Sequence, residues 1–162
     1  MADKIEVTGL KELQQRFMSL AATIGGKKAQ KPVAAALRKT AVVVQKAAIQ
    51  NLESGGHVLS GTLKNNIIVY KQRSRDQNII SYGVSIRSKA QKYKDNKRNQ
   101  RAGRVGGTYK NYGPLFYARF LEFGSSNQPI TAFLAPAFDT NKAQLPEVFR
   151  DDLAKRLDKI PL

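Results

Sequence analysis

Residues 117–138 read YARFLEFGSSNQPITAFLAPAF and combine a helix, a turn and an apolar strap in one short run. Aromatic side chains surround a single Arg and a single Glu, which suits a short helix that ends at Gly124 with a left-handed cap. Residues 125–128 predict a turn, and the two prolines that follow favour extended backbone up to Leu134. The run holds no histidine and no metal-ligand pair. We therefore expect a structural joint here rather than a reaction centre.

The N-terminal residues predict a short strand over 5–8 followed by an amphipathic helix. Thr8 is the expected N-cap, and Gly25-Gly26 is the expected end of the helix. The apolar face of this helix fits either the domain's own core or a seam against another subunit. Its apolar residues recur at spacings of three and four, on one side of a helix: Leu10, Leu13, Phe17, Leu20 and Ile24.

A second, alanine-rich helix is expected from about Lys31-Pro32 to Leu52, because proline suits the first turn of a helix. A short helical turn started by Ser60 or Thr62 follows it. Residues 67–70 and 80–86 are then rich in β-branched and aromatic side chains, which predicts two antiparallel strands joined by a polar loop.

The C-terminal segment, from about Pro136 to Lys159, is predicted to be helical. Pro146 should kink that helix or start a second one. The pieces together predict an α+β fold in which N-terminal helices pack on a small antiparallel β-sheet, with a long basic loop and a C-terminal helix.

Composition points to a single domain over residues 1–162 with an unusual charge. Lys and Arg number 28 against 12 Asp and Glu, for a formal net charge of +16. Such an excess attracts polyanions, with nucleic acid first, an acidic protein second and an anionic membrane third. The chain lacks cysteine, so no disulfide framework is possible. No signal peptide or membrane-spanning run is recognisable, and we expect a soluble protein.

The positive charge is concentrated in residues 87–110, where apolar side chains are nearly absent and Asp95 is the single acid. This composition predicts a long, flexible, basic loop. Its cations can neutralise phosphates without reading base sequence, and Tyr93 and Tyr109 could stack on bases. The alternative is a solvated loop whose charge only aids solubility. The candidate contact residues are Lys89, Lys92, Lys94, Lys97, Arg98, Arg101 and Arg104.

Catalytic patterns are weak throughout the chain. His57 is the only histidine and has no acid nearer than Glu53, so neither a triad nor a histidine metal site is indicated. Asp151-Asp152 are adjacent on a helix and are expected to form a polar face rather than an acid/base pair. Gly103 to Gly106 matches a GxxG loop, but the flanking helix pair of an RNA-binding domain is missing. We predict no catalytic residue, metal or cofactor.

Four phrases of the chain occur in a recognisable order: GLKEL (9–13), SGTLKNNI (60–67), YARFLEFGSS (117–126) and PITAFLAPA (129–137). This order resembles the small neck, or tail-completion, proteins of long-tailed bacteriophages, over nearly the whole chain. The family often has Ala-x-Pro-Phe-Leu where this chain has Thr131-Ala132-Phe133-Leu134 preceded by Ile130.

The resemblance implies a structural α+β protein, not an enzyme, that forms a ring of six or twelve copies in the virion neck. Such a ring joins the head connector to the tail and surrounds the channel through which the DNA leaves. On this interpretation the cations from Lys89 to Arg104 contact either the DNA or the adjoining ring. The implied partners are copies of itself, head-closure or connector proteins, tail-terminator or tail-tube proteins and packaged double-stranded DNA, with no membrane. The implied location is the head–tail junction, after assembly from the host cytoplasm.

On this interpretation the 117–138 run forms an architectural joint at or near the subunit interface. Arg119 and Glu122, three residues apart, are expected to pair with each other on the helix, or alternatively to reach a neighbouring subunit. The candidate joint residues are Tyr117, Arg119, Glu122, Phe123, Gly124, Phe133, Leu134 and Pro136.

Two other functions remain open from the sequence. A stand-alone, sequence-non-specific nucleic-acid binder would use the same basic loop and bind DNA tightly as a monomer. A nuclease would need a cluster of acids for metal, which the chain does not supply. Because like charges repel, the neck protein should instead be monomeric or weakly associated in isolation, and bind DNA weakly.

Overall fold

Two helices joined at Gly25 form the N-terminal part of the fold, in a computed structural model that describes residues 9–56, 61–76 and 79–160. Helix α1 spans Leu10–Ile24, as predicted. Leu13 and Leu20 are buried in a cluster with residues of the C-terminal helix, which confirms that α1 packs on the chain's own core. The predicted strand over 5–8 lies outside the described residues. The N-cap of α1 is Gly9, so the predicted N-cap at Thr8 is wrong.

Helix α2 spans Gly26–Ser54, so the predicted start at Lys31-Pro32 is wrong. Pro32 lies inside α2, where proline costs about 3 kcal/mol because it lacks an N–H and crowds the preceding turn. Pro32 is nevertheless buried, and Ala29, one turn earlier, is 0% exposed in the same cluster as Leu13. Tertiary packing therefore outweighs the local preference of proline for a first turn.

A predicted β-hairpin follows α2 and packs against it. Strand β1 (Ile67–Gln72) pairs antiparallel with strand β2 (Ser81–Ile86), after a single 3-10 turn at Lys64–Asn66. Tyr70 faces Gly83, and a Cβ on Gly83 would lie 3.0 Å from the Tyr70 ring. Glycine in this strand therefore makes room for the tyrosine.

A second antiparallel hairpin occupies the segment expected to be a flexible loop. Strand β3 (Lys89–Lys92) pairs with strand β4 (Thr108–Asn111), and a short helix α3 (Lys97–Arg101) lies between them. The prediction of an unstructured loop is wrong. The composition indicated disorder because apolar residues are scarce, but polar and aromatic side chains order this segment instead.

The C-terminal part contains a 3-10 turn at Gly113–Leu115 and three helices, α4 (Ala118–Phe123), α5 (Leu134–Asn141) and α6 (Leu145–Leu157). Pro146 lies in the first turn of α6, so it starts a second helix as one of the two alternatives predicted. Both α5 and α6 pack on α2.

Helix α2 runs through two hydrophobic clusters, which confirms the α+β prediction of helices around a small antiparallel sheet. One cluster joins α2 to β1 and to the 117–138 run, and consists of Val44, Ala48, Leu52, Leu63, Ile67, Leu115, Ala118, Leu121, Phe133 and Ala137. The other joins α2 to α1 and α6, and consists of Leu13, Leu20, Ala29, Ala36, Leu153 and Leu157. Within the described ranges, no helix combines the length and apolar character needed to cross a bilayer.

Candidate functional site

Residues 117–138, which we call the joint, fold into a closed unit of helix, turn and helix. Gly124 ends α4 with φ +73° and ψ 179°, a conformation that glycine adopts readily but that is not the left-handed cap predicted. Ser125 and Gln128 exchange backbone hydrogen bonds of 3.0 and 3.3 Å across the predicted turn. The N–H of Thr131 then donates to the carbonyl of Leu121 at 2.9 Å. Residues 129–133, which we call the strap, therefore run back along α4 instead of extending away from it.

The buried carboxylate of Glu122 links α4 to the start of α5 within the joint. Its Oε2 accepts hydrogen bonds from the N–H groups of Phe133 and Leu134 at 3.0 Å each, and its Oε1 accepts one from Ala135 at 2.8 Å. These are orphan donors at the start of α5, where the helix dipole also favours a negative charge. The side chain of a residue in α4 thus caps a helix that begins 12 residues later.

The expected Arg119–Glu122 pair is not among the ion pairs of the described residues. Arg119 is exposed, and its guanidinium lies over the Phe120 ring at 4.9 Å. Spacing along one helix suggested the pair, but the buried donors of α5 compete for the carboxylate and hold it more strongly, since unpaired buried N–H groups are costly.

The joint is anchored on α2 through Phe133, which is 1% exposed. The amide of Asn51 donates to the Phe133 carbonyl at 3.2 Å, and Ala118 and Leu121 are buried in the same cluster. Leu134 and Tyr117 are half-buried, whereas Pro136 is exposed. Sequence reasoning missed Asn51, whose only signal is an amide near the C-terminal end of an otherwise alanine-rich helix.

Large apolar side chains of the joint, and of Phe116 next to it, are exposed to solvent. Eight such side chains are more than a third exposed among the described residues, and four of them fall within residues 116–138. They are Phe116, Phe123, Ile130 and Phe138, at 61%, 78%, 67% and 53% exposure. Of these, only Phe123 was a candidate from the sequence. A rigid, internally capped segment therefore displays a concentration of apolar surface.

Residues 89–111, which we call the basic arm, are ordered by side chains that contact each other. The Tyr93 and Tyr109 rings lie 4.6 Å apart, and the Arg104 guanidinium lies 5.1 Å from the Tyr93 ring centre. Asn96 caps α3 by accepting from the N–H of Asn99 at 2.9 Å. Because the rings of Tyr93 and Tyr109 contact each other, they are poorly placed for the predicted stacking on bases.

All seven predicted contact residues of the arm are exposed: Lys89, Lys92, Lys94, Lys97, Arg98, Arg101 and Arg104. The ion pairs of the described residues all lie outside the arm. Asp95, the one acid of the arm, accepts a hydrogen bond from Gln100 at 2.6 Å. No ion pair among the described residues therefore compensates the positive charge of the arm.

Gly103 and Gly106 both have positive φ, at +61° and +79°, and form the turn before β4. The GxxG phrase is thus the tip region of a hairpin, which accounts for the glycines without a nucleic-acid clamp between two helices. His57 lies outside the described residues.

Asp152 is buried, not part of a solvated polar face as expected. Lys39 Nζ lies 2.6 Å from its Oδ1, and Arg156 Nε lies 2.5 Å from its Oδ2. Burial by itself would raise the pKa of Asp152, but the hydrogen bonds and charges of Lys39 and Arg156 outweigh burial and hold that pKa below its usual value. Asp152 therefore ties α6 to α2, and Asp151 pairs separately with Arg150.

A model of a known protein family matches the chain. The family is described as "Bacteriophage HK97-gp10, putative tail-component", and its model matches residues 11–124, from α1 to the end of α4. No curated protein and no solved structure matches the chain. The matched region covers more than two-thirds of the 162 residues and includes both Glu122 and the basic arm. The chain belongs to the HK97-gp10-like family of bacteriophage tail components.

Proposed function

We propose that this protein is a structural subunit of a ring in the phage neck, which joins the head connector to the tail and surrounds the DNA exit channel. Family membership supports a structural role in the virion. The neck position, the ring and the whole chain acting as one neck domain are our proposal. The partners would be copies of the chain, a head-closure or connector protein, and a tail-terminator or tail-tube protein.

The exposed apolar surface of the joint carries this proposal. Large aromatic side chains at 61% and 78% exposure, Phe116 and Phe123, are typical of surfaces that become buried in an assembly. Because Glu122 and Gly124 fix the backbone of the joint, little conformational freedom would be lost on association. We propose that Tyr117, Arg119 and Phe123 lie at or beside the contact between subunits, and that Phe133 and Leu134 support it from within.

The hydrogen bonds and ion pairs of the two buried acids support a role without catalysis. Glu122 and Asp152 are the buried charged residues of the described chain, and each is engaged by the fold itself, in a helix cap and in an ion-pair bridge. Groups of three or more metal-ligating side chains are absent from the described ranges. Neither buried carboxylate is therefore left to act as an acid, a base or a metal ligand.

The test is the mass of purified full-length protein by light scattering, as sodium chloride rises to about 1 M, combined with electron microscopy. At low salt we expect monomers of 18.0 kDa, because +16 charges repel. At high salt we expect particles of six or twelve copies with an open centre. A chain that is still monomeric at about 1 M salt, where the repulsion between subunits is screened, or that stops at a dimer, contradicts the ring.

The matched pair of variants is Phe123→Ala and Met18→Ala. Both remove an exposed apolar side chain, at 78% and 63% exposure, but Met18 lies on α1, away from the joint in sequence. We expect Phe123→Ala to prevent the high-salt particle while Met18→Ala leaves it intact, with both variants as stable as the wild type. Equal behaviour of the two variants would remove the joint from the proposed interface.

A second candidate is a stand-alone, sequence-non-specific nucleic-acid binder, which the uncompensated charge of the basic arm favours. It predicts that the monomer binds DNA tightly at low salt, with an affinity that falls steeply as the salt concentration rises. The neck protein should bind weakly as a monomer and gain avidity only when several arms act together in a ring.

A further inference from the structure

The basic arm concentrates charge far beyond the rest of the chain. Residues 89–111 contain eight Lys and Arg and one Asp, so 23 residues carry +7 of the chain's net +16. The seven cations of residues 89–104 all have exposed side chains. None of them takes part in an ion pair of the described residues. This is the electrostatic footprint of a surface that binds polyanions.

Hydrogen bonds keep the cations of the arm close together although their charges repel each other. Lys97 and Arg101 are one turn apart on α3, and like charges at that spacing destabilise a helix. The Asn96 cap and the hydrogen bond from the Asn99 amide to the Lys94 carbonyl, at 2.8 Å, fix α3 despite this repulsion. An anionic partner would relieve the repulsion without reordering the arm.

Two features decide the class of partner. Protein–protein contacts have an apolar centre, but Val105 is the only large exposed aliphatic side chain of the arm. Single-stranded nucleic acid is bound by stacking on aromatic rings, but Tyr93 is covered by Tyr109 on one side and contacted by Arg104 as well. What remains is charge on a preformed support, which suits the regular phosphates of a duplex.

We propose that the basic arm binds the phosphate backbone of double-stranded DNA without reading its sequence. The residues that make the contact are Lys92, Lys94, Lys97, Arg98 and Arg101. Arg104 is committed to the Tyr93 ring and is not one of the phosphate contacts. This inference rests on the proposed function for its setting, since the arm meets the genome only if the ring surrounds the channel, but the contact belongs to the arm of each subunit.

The experiment measures binding of the full-length chain to a 30-bp duplex by fluorescence anisotropy, from about 20 to 200 mM salt. Five phosphate contacts predict a slope of log K against log salt of about −4 to −5, since each contact contributes about −0.9. The affinity should be the same for duplexes of different sequence.

The arm variant is Lys97→Gln/Arg98→Gln/Arg101→Gln, and its control is Lys11→Gln/Lys142→Gln/Lys155→Gln, three exposed cations outside the arm. Both variants lower the net charge by three. In the arm variant we expect the slope of log K against log salt to become less negative by about 2.7, for three lost contacts at about 0.9 each. Its affinity at low salt should fall at least ten-fold. The control should keep the wild-type slope. Equal losses in both variants, or no loss in the arm variant, overturn the proposal.

Two further probes identify the partner class. Polyglutamate that competes with duplex DNA at equal charge concentration would assign the arm to an acidic protein instead. Preference for single-stranded over double-stranded DNA, lost in Tyr93→Ala, would show that bases are stacked. In either case the duplex assignment is wrong.

The outcome for the arm is separate from the outcome for the ring. If high-salt particles form but the arm variant binds DNA like the wild type, the arm inference fails and the ring stands. If the arm variant loses its salt slope but no ring forms, the arm inference stands and the neck proposal fails.

Discussion

Glu122 satisfies three backbone donors with one carboxylate, and so joins two helices that are separated by a turn. A cap normally comes from a residue next to the helix that it caps. Here the cap comes from α4, so the stability of α5 depends on the path of the chain between them. Loss of the carboxylate would leave the donors of Phe133 to Ala135 buried or half-buried without their acceptor.

We expect Glu122→Gln to lower the free energy of unfolding by about 2 kcal/mol, because the amide keeps the shape but replaces one acceptor oxygen with a donor. Urea unfolding followed by circular dichroism measures the change. The control is Glu147→Gln, an exposed acid in the first turn of α6, which should cost less than 0.5 kcal/mol. If the two variants unfold at the same urea concentration, the cap contributes nothing.

Asp152 gives the protein a predictable acid dependence. Its pKa in the folded chain lies below its unfolded value of about 3.9. Its contribution to stability is therefore complete above that unfolded pKa, and is lost as the pH falls through the lower folded pKa.

We expect Asp152→Asn to lower stability by about 1–3 kcal/mol at pH 7, since hydrogen bonds to two charged groups are weakened. The difference from wild type should stay constant down to about pH 5 and shrink below about pH 4. Urea midpoints at pH 7, 5, 4 and 3 measure it, with Asp151→Asn as the exposed neighbour. A difference that does not change with pH would show that Asp152 contributes by packing alone.

At the scale of elements, Gly124 sets the direction of the strap after α4. Its backbone has φ +73°, a region that only glycine adopts readily. A Cβ there would lie 2.9 Å from Ile130 Cγ1 and 3.3 Å from the Gln128 carbonyl oxygen. Any side chain would therefore strain the backbone and also displace the strap.

The effect of space can be separated from the effect of strain by a second glycine. Gly25 has φ +82° but has nothing within 4 Å of its Cβ position. We expect Gly25→Ala to cost about 1–3 kcal/mol from strain alone, and Gly124→Ala to cost about 1 kcal/mol more because Ile130 must move. Thermal or urea unfolding of both variants gives the comparison. Equal costs would mean that the strap accommodates the methyl group freely.

At the scale of the whole molecule, two electrostatic effects oppose each other. Attraction within ion pairs such as Arg16–Asp158, whose side chains are both more than half exposed, is weak and screened by salt. Repulsion among 28 cations, opposed by only 12 acids, acts over longer distances and is also screened. The excess charge is large enough that we expect repulsion to dominate.

We therefore expect the urea midpoint at pH 7 to rise as sodium chloride increases from about 10 to about 300 mM, measured at a protein concentration where the chain is monomeric. The rise should be smaller in the arm variant, which carries three fewer charges. A midpoint that falls with salt would show that attraction within the ion pairs exceeds the repulsion.

The α+β architecture, the bounds of α1, the first hairpin and the start of α6 at Pro146 were all predictable from the linear pattern. These elements depend on periodic burial and on proline and glycine signals, which act between residues close in the chain. The run of cations located the basic arm and the run of aromatics located the joint, but of the four exposed apolar side chains only Phe123 was a candidate from the sequence. The family match confirms the resemblance that the phrases indicated.

The remaining features depend on contacts between residues far apart in sequence, which a linear pattern does not contain. Helix α2 continues through Pro32 because Ala29 packs in the core. Glu122 bonds to the orphan N–H donors of α5 instead of pairing with Arg119. The contact between the Tyr93 and Tyr109 rings orders the basic arm. In each case the local sequence favoured another conformation or partner. The free energy gained by burying apolar area, or by pairing a donor from a distant part of the chain, was larger than that local preference.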